Sequence, residues 1–541
     1  MTVELTLSGE LTIAQIENVA FGRAKVSLAK QAREKVDAFR KRATSMLAAE
    51  LKVNDKKRVY GLNTGFGSNY AEEVTPAELE RLQLNLIRSH CAGVGEPAPK
   101  AVVRATMLLR AASLARGHSV VRAEVIDALI ELLNKDVTPA VPRHGSVSAS
   151  GDLAPLSHIA AVVIGEGRIL KDDGVVVPTS EAGVDFKRVT LQMKEGLALN
   201  NGCQYSNAWG ALAAAKMRRL MDAAVLNTAL HIQVMRGMGR PFREDLHALR
   251  QHPGSRRVAG WVYALLDGYQ FKDVTTDQKF AHDGRIQDPY NLRCAAQVLG
   301  PCFDLIERAA ATMEIEARSV TDNPIDLNTS IDAYDLNQIT SGGHFHGMPL
   351  AVDCFGLIQA AGIMARLANM RCARIVDKNR NGGLGPQVRG DAPDSTESGL
   401  LVAEYTTAGL CNHIWGLAQP SHLMSMSTDS GQEDHVSMAA NVAMRAHEAA
   451  DRLAEILAIE MMFAHQGEHR HAAKAEAAAK EGTTFKPVTL GRRTAGVLEE
   501  INRVFKPVTA DRELSWDVKA LAEKVLSGDI ARASGYDFPR H

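Results

Sequence analysis

Aromatic side chains are scarce, at 5% of 541 residues. Sheet sandwiches and barrels draw on aromatic residues, so this scarcity beside plentiful Ala, Leu and Met leans towards a helix-rich core. Net charge is nearly absent too, because 62 Lys and Arg against 63 Asp and Glu leave a formal −1. That removes the electrostatic case for a nucleic acid or an acidic membrane as partner. No uninterrupted apolar run reaches the roughly 20 residues of a membrane span. The opening MTVELTLSGELTIAQ lacks a basic segment followed by an apolar one, so no signal peptide is indicated. Cysteine is sparse: seven residues, scattered and never spaced C-x-x-C. This argues against a disulfide framework or a zinc site and for reduced thiols in a cytoplasm.

Several familiar motifs are missing as well. GFGSNY has no third glycine for a dinucleotide, and no phosphate-binding G-x-x-x-x-G-K-[ST] occurs. HEAAD at 447–451 places Asp451 where a zinc-protease helix needs its second His. His344 with His346, and His465 with His469 and His471, do not form a ligand set of recognised geometry, so no metal is expected. Ser150 does not sit in G-x-S-x-G.

What is present is helical patterning. Apolar residues recur at three- and four-residue spacing through 100–134, broken by Gly117, and through 208–236, 293–317, 349–377 and 436–465. Long antiparallel helices forming a bundle are the expected architecture, within two or three domains or one large assembly. Between them lie glycine-rich loops: GLNTGFG at 61–67, RHGSVSASG at 143–151, SGGHFHG at 341–347 and NGGLGPQVRG at 381–390. Any one of these is ordinarily a turn; four on a helical scaffold make a plausible site-building set. The Ala-rich charged stretch 469–482 reads as an exposed helix or a mobile surface insertion.

The phrase SVSASGDLAPLSHIA, Ser146 to Ala160, sets three small residues, Ala149-Ser150-Gly151, beside Asp152. A glycine amide nitrogen is the least hindered backbone nucleophile. Its attack on the Ala149 carbonyl closes a five-membered ring across Ser150, and loss of water from ring and side chain leaves an exocyclic methylidene. Such an electrophile is made from backbone alone, with strain of a kind held at functional sites. Asp152 is placed to assist the proton transfers. From Ala-Ser-Gly alone, a small-residue turn before a helix remains the simpler reading.

The longer phrase SVSASGDLAPLSHIAAVVIGEG resembles the signature of the aromatic amino acid ammonia-lyase family. The likeness runs from VYGLNTGFGS to beyond QEDHVSM, in the family's order, across nearly the whole chain. It implies that Ala149-Ser150-Gly151 cyclises unaided to 4-methylidene-imidazol-5-one (MIO), with no external cofactor. It further implies a mainly α-helical fold with little β structure: an N-terminal MIO-bearing domain, 1–230, then a helical bundle, 231–541, ending in a helical cap. A cytoplasmic homotetramer with active sites shared between subunits, and a mobile Tyr60 loop closing over the substrate, are implied in the same way.

Eliminating ammonia from an α-amino acid breaks a β-carbon C–H bond of low acidity, so an electrophile must activate the substrate and a base must take the proton. The resemblance assigns the base to Tyr60, which has to be held partly ionised to act near neutrality. It assigns the carboxylate-binding fork to Arg293, with Gln287 and Tyr290 as polar neighbours. Asn201 is matched to a residue orienting MIO and substrate, and Phe345 to an aromatic packing beside MIO.

Two positions speak to the substrate. His90, in NLIRSHCAGVG, matches the histidine that contacts an imidazole in histidine ammonia-lyases, where phenylalanine enzymes are apolar. Glu433, in GQEDHVSM, matches a glutamate of the histidine enzymes, and a carboxylate suits the second imidazole nitrogen. L-Histidine, converted to trans-urocanate, is therefore the expected substrate. Tyrosine ammonia-lyase and tyrosine 2,3-aminomutase stay open, because Asn200, His344, Tyr405 and His413 depart from the histidine pattern. An inactive binding or scaffold homologue is the non-enzymatic alternative.

Overall fold

The computed structural model describes residues 1–70, 74–75, 78–390, 396–485 and 487–540. Helices dominate, and the named strands among the described residues form only four two-stranded pairs. The patterned stretches fold as helices Lys100–Ala115, Ala123–Asn134, Gln204–Val234, Ala295–Ala317, Met348–Val376 and Ala439–Lys480. Gly117 breaks the first pair at φ +81°, as its position between the two apolar patterns implies.

The chain forms two compact units, each assembled from three segments. The first comprises Met1–Ala215, Ala309–Phe355 and Pro420–Met444; the second comprises Lys216–Arg308, Gly356–Gln419 and Arg445–His541. Residue 230, the boundary read from the sequence, falls inside helix Gln204–Val234.

In the first unit, Lys100–Ala115 is buried at every position from Val102 to Ala115, so its two arginines must find partners inside. Arg104 donates to the carbonyls of Val19 and Leu133, and Arg110 to that of Asn201 at 2.6 Å. The opening of helix Gln204–Val234 is equally enclosed. A Cβ on Gly210 would stand 2.6 Å from Met313 Sδ and 2.9 Å from Cys354 Sγ, so three helices pass where only glycine fits. Lys194 and Asp322 form a wholly buried ion pair at 2.8 Å, fixing the segment that leads into Asn201.

The second unit holds a comparable buried pair, Arg371 with Glu460, to which Asn227 Nδ2 also donates at 2.7 Å. His465 and His471 lie in its interior, with Nε2 atoms against Asn502 Oδ1 and the Val234 carbonyl. The Ala-rich stretch from His469 is mostly the end of helix Ala439–Lys480, half-buried at its start, and so no separate insertion. Helix Met348–Val376 is, among the described residues, the one long and apolar enough to cross a membrane, with 61% of its most apolar window buried as in a core helix.

Candidate active site

Asp152 organises the small-residue loop. Its Oδ1 accepts the hydroxyls of Ser146, Ser148 and Ser206 at 2.6–2.8 Å, and its Oδ2 accepts the Ser206 N–H at 2.7 Å. Burial pushes this carboxyl above its usual range, against the downward pull of the four donors. Both oxygens thus accept from Ser146, Ser148 and Ser206, which holds the loop that carries Ala149-Ser150-Gly151. Helix Leu153–Val163 begins at once, without a side-chain cap, because the cap residue's carboxylate is turned to the serines.

Gly151 (φ +80°) pairs in parallel with Gly202, and a Cβ on Gly151 would stand 2.3 Å from the Gly202 carbonyl oxygen. The adjoining Asn201 donates Nδ2 to the Ser150 carbonyl at 2.9 Å, while its Oδ1 is buried without a hydrogen-bond partner. Ala149 is buried and Ser150 half-buried, its side chain facing an open cavity.

That cavity, about 790 Å³, is lined entirely from the first unit. Tyr60, His90, Ala149, Ser150, Asn201, Phe345 and Glu433 all reach it. Six stretches far apart in sequence, all anticipated as site loops or motifs, therefore converge. Gln287, Tyr290 and Arg293 are not among its lining residues: Gln287 and Arg293 instead line a cleft with Arg240 and Arg243 in the second unit. Tyr290 is exposed beneath the Arg293 guanidinium, 4.6 Å from its ring centre. Among the described residues no Lys or Arg lines the Ser150 cavity.

The Tyr60 hydroxyl accepts the N–H of Gly67 at 3.2 Å, folding its loop back on itself. Burial pushes the phenol up from its ordinary value, with the charges of Asp429 and Glu433 adding to it. Partial ionisation, expected of a base here, is therefore not supplied by these neighbours. Burial also holds the His90 ring below the usual histidine range, hence neutral near pH 7. Its Nδ1 lies 3.0 Å from Ser89 Oγ.

Glu433 sits at the end of a tight turn. Thr428 and Glu433 pair as an antiparallel bridge, and Thr428 Oγ1 donates to Glu433 Oε2 at 2.7 Å. Its other oxygen, Oε1, accepts the hydroxyl of Ser150. Between them, Asp429 takes the Ser68 N–H and hydroxyl at 2.9 and 2.7 Å, tying the turn to the Tyr60 loop.

Sequence reasoning missed Asp429, Thr428, Asn323 and the His346–His435 pair, whose rings stack with centres 5.3 Å apart. Nothing local marks them. Ser146 and Ser148 were findable, since alternating hydroxyls ahead of a carboxylate supply its donors. The departing positions lie elsewhere: Asn200 is buried against Ser157, His413 meets Glu448 at 2.8 Å, and neither they, His344 nor Tyr405 line the cavity. Among the described residues no three His, Cys, Asp or Glu side chains group as a metal site.

Comparison with known proteins places these features. The sequence profile of the family described as aromatic amino acid lyase matches residues 11–488. A histidine ammonia-lyase of Aromatoleum aromaticum is 36% identical over 98% of this chain and 95% of its own. One from Bradyrhizobium diazoefficiens is 42% identical over 76% of this chain and 77% of its own. Among solved structures, histidine ammonia-lyase from Trypanosoma cruzi superposes with a TM-score of 0.84 at 29% identity, covering 99% of this chain and 95% of that one. A tyrosine aminomutase from Streptomyces globisporus gives 0.87 at 28%, covering 98% of each.

Proposed function

The chain belongs to the aromatic amino acid lyase family, and on that premise we propose that it is a histidine ammonia-lyase, eliminating ammonia from L-histidine to give trans-urocanate. The observation carrying the choice of substrate is that His90 and Glu433 line one cavity with Ser150 and Tyr60. A neutral imidazole and a carboxylate together match the donor and acceptor nitrogens of a substrate imidazole. The 36–42% identity to histidine ammonia-lyases supports the same choice.

The loop fits an MIO ring closed from Ala149-Ser150-Gly151. Gly151 presents a nitrogen unobstructed by any Cβ, Asn201 holds the Ser150 carbonyl, and the unpartnered Asn201 Oδ1 is an acceptor left for a ligand. Held by these residues, the ring would supply an electrophilic carbon to activate the substrate amine. Tyr60 takes the β-proton, Phe345 packs beside the ring, and Asn201 orients what binds there.

A substrate carboxylate needs a cation, and the cavity's described lining offers none. We assign that role to Arg293 of the partner subunit, assisted by Gln287 and Tyr290 of the partner subunit, in a homotetramer with shared sites. Exposure of Gln287 and Tyr290 supports this. Seven free cysteines support a reducing compartment, the cytoplasm.

The test is near-ultraviolet product formation and ammonia release with L-histidine, L-tyrosine and L-phenylalanine in parallel. Urocanate from histidine alone is expected. Coumarate or β-tyrosine from tyrosine, with no urocanate, would overturn the substrate while keeping the family.

A further inference from the structure

Ring closure alone does not make an electrophile; Ser150 must also lose its hydroxyl. That hydroxyl donates to Glu433 Oε1. The other candidates for proton traffic are engaged elsewhere. Asp152 has both oxygens on Ser146, Ser148 and Ser206, Tyr60 accepts from Gly67, and His90 faces Ser89.

Glu433 is also held for this contact. Thr428 fixes its second oxygen, and the bridge between Thr428 and Glu433 is closed through Asp429 (φ +46°), Ser430 (φ +54°) and Gly431 (φ +91°). Two consecutive non-glycine residues in the left-handed region persist only where the surroundings enforce them, and such strain concentrates at functional sites.

We infer that Glu433 acts twice: first as the proton carrier that dehydrates Ser150, then, with that hydroxyl gone, as the carboxylate facing the substrate. The inference rests on the ring-forming reading above. In closure, the Gly151 nitrogen bonds to the Ala149 carbonyl carbon, and that oxygen leaves as water with the amide hydrogens of Ser150 and Gly151. In dehydration, the Ser150 Cα–H and Cβ–Oγ bonds break and a Cα–Cβ double bond forms. Glu433, a carboxylate at the start, takes the proton from Cα and passes it to Oγ, so water departs and the carboxylate is regenerated. Removal of the hydroxyl frees Oε1, which explains how one side chain serves both maturation and binding.

The experiment follows the intact mass of the full chain over time after cell-free synthesis, with far-ultraviolet circular dichroism to verify folding. Wild type is expected to lose the mass of two water molecules, and Ser150→Ala not to. Glu433→Gln keeps the size and a hydrogen bond but cannot carry a proton; it is expected to stall short of the second water, slowed roughly tenfold or more. Glu433→Asp, retaining a carboxylate, should mature faster than Glu433→Gln. Folded Glu433→Gln losing both waters at the wild-type rate overturns the inference. Should that variant not fold, Thr428→Val decides, since it removes only the anchor of Glu433: slowed maturation supports the inference and a wild-type rate overturns it. Wild type losing no water would instead refute the ring-forming reading itself.

Discussion

Gly151 and Gly202 lie so close that a Cβ on the first would stand 2.3 Å from the carbonyl oxygen of the second. Gly151→Ala therefore combines this collision with a positive φ that costs alanine about 1–3 kcal/mol. The expected outcome is a lowered Tm, with loss of the MIO absorbance band and of activity. A Gly151→Ala protein with wild-type absorbance and Tm would contradict the close pairing.

Tyr60 is half-buried, and that burial, with the charges of Asp429 and Glu433 adding to it, raises its phenol above the ordinary 10. A base with a raised pKa is mostly protonated near neutrality, and its active fraction grows as pH rises. The kcat/KM for L-histidine should therefore climb throughout the range below that pKa. Tyr60→Phe should lose that limb together with roughly 10²–10⁴-fold of the rate. A profile flat in alkali, unchanged by the substitution, would remove Tyr60 from the role of base.

Arg293 and Tyr60 offer a test of shared sites. Tyr60→Phe and Arg293→Ala should each be inactive alone. Co-expressed, they should regain about a quarter of wild-type activity, the chance that a site draws both intact copies from a mixed oligomer. No recovery in mixed oligomers would mean that both residues serve a site within one chain.

Three histidines of the second unit, His231, His465 and His471, are pushed down to about 4 by burial. Their folded pKa values lie below the unfolded value near 6.5, so the unfolded chain binds more protons between these limits. Their contribution to stability is complete above about pH 6.5 and is lost as pH falls towards 4. Urea titrations at pH 7 and pH 5 should show the loss, and His471→Gln should flatten the slope. Equal stability at both pH values would contradict the burial of these rings as neutral groups.

The sequence by itself determined the helices and the chemistry-bearing phrases. Apolar stretches rich in Ala, Leu and Met locate Lys100–Ala115 and Gln204–Val234, because these residues favour helix and a helix apolar nearly all round is buried nearly all round. Ala149-Ser150-Gly151 is legible because nucleophilicity at a glycine nitrogen is a property of the tripeptide. Tertiary structure decided what those residues meet. That Asp152 is spent on Ser146, Ser148 and Ser206, that Glu433 takes the Ser150 hydroxyl, and that Thr428 and Asp429 aim it are contacts set by chain closure. Ser150 and Glu433 are 283 positions apart and carry no local signal of such a contact, because hydrogen-bond geometry depends on where the backbone returns. The same reason separates Arg293 from the cavity it was matched to: a motif specifies a side chain's chemistry, and only packing specifies which cavity that side chain lines.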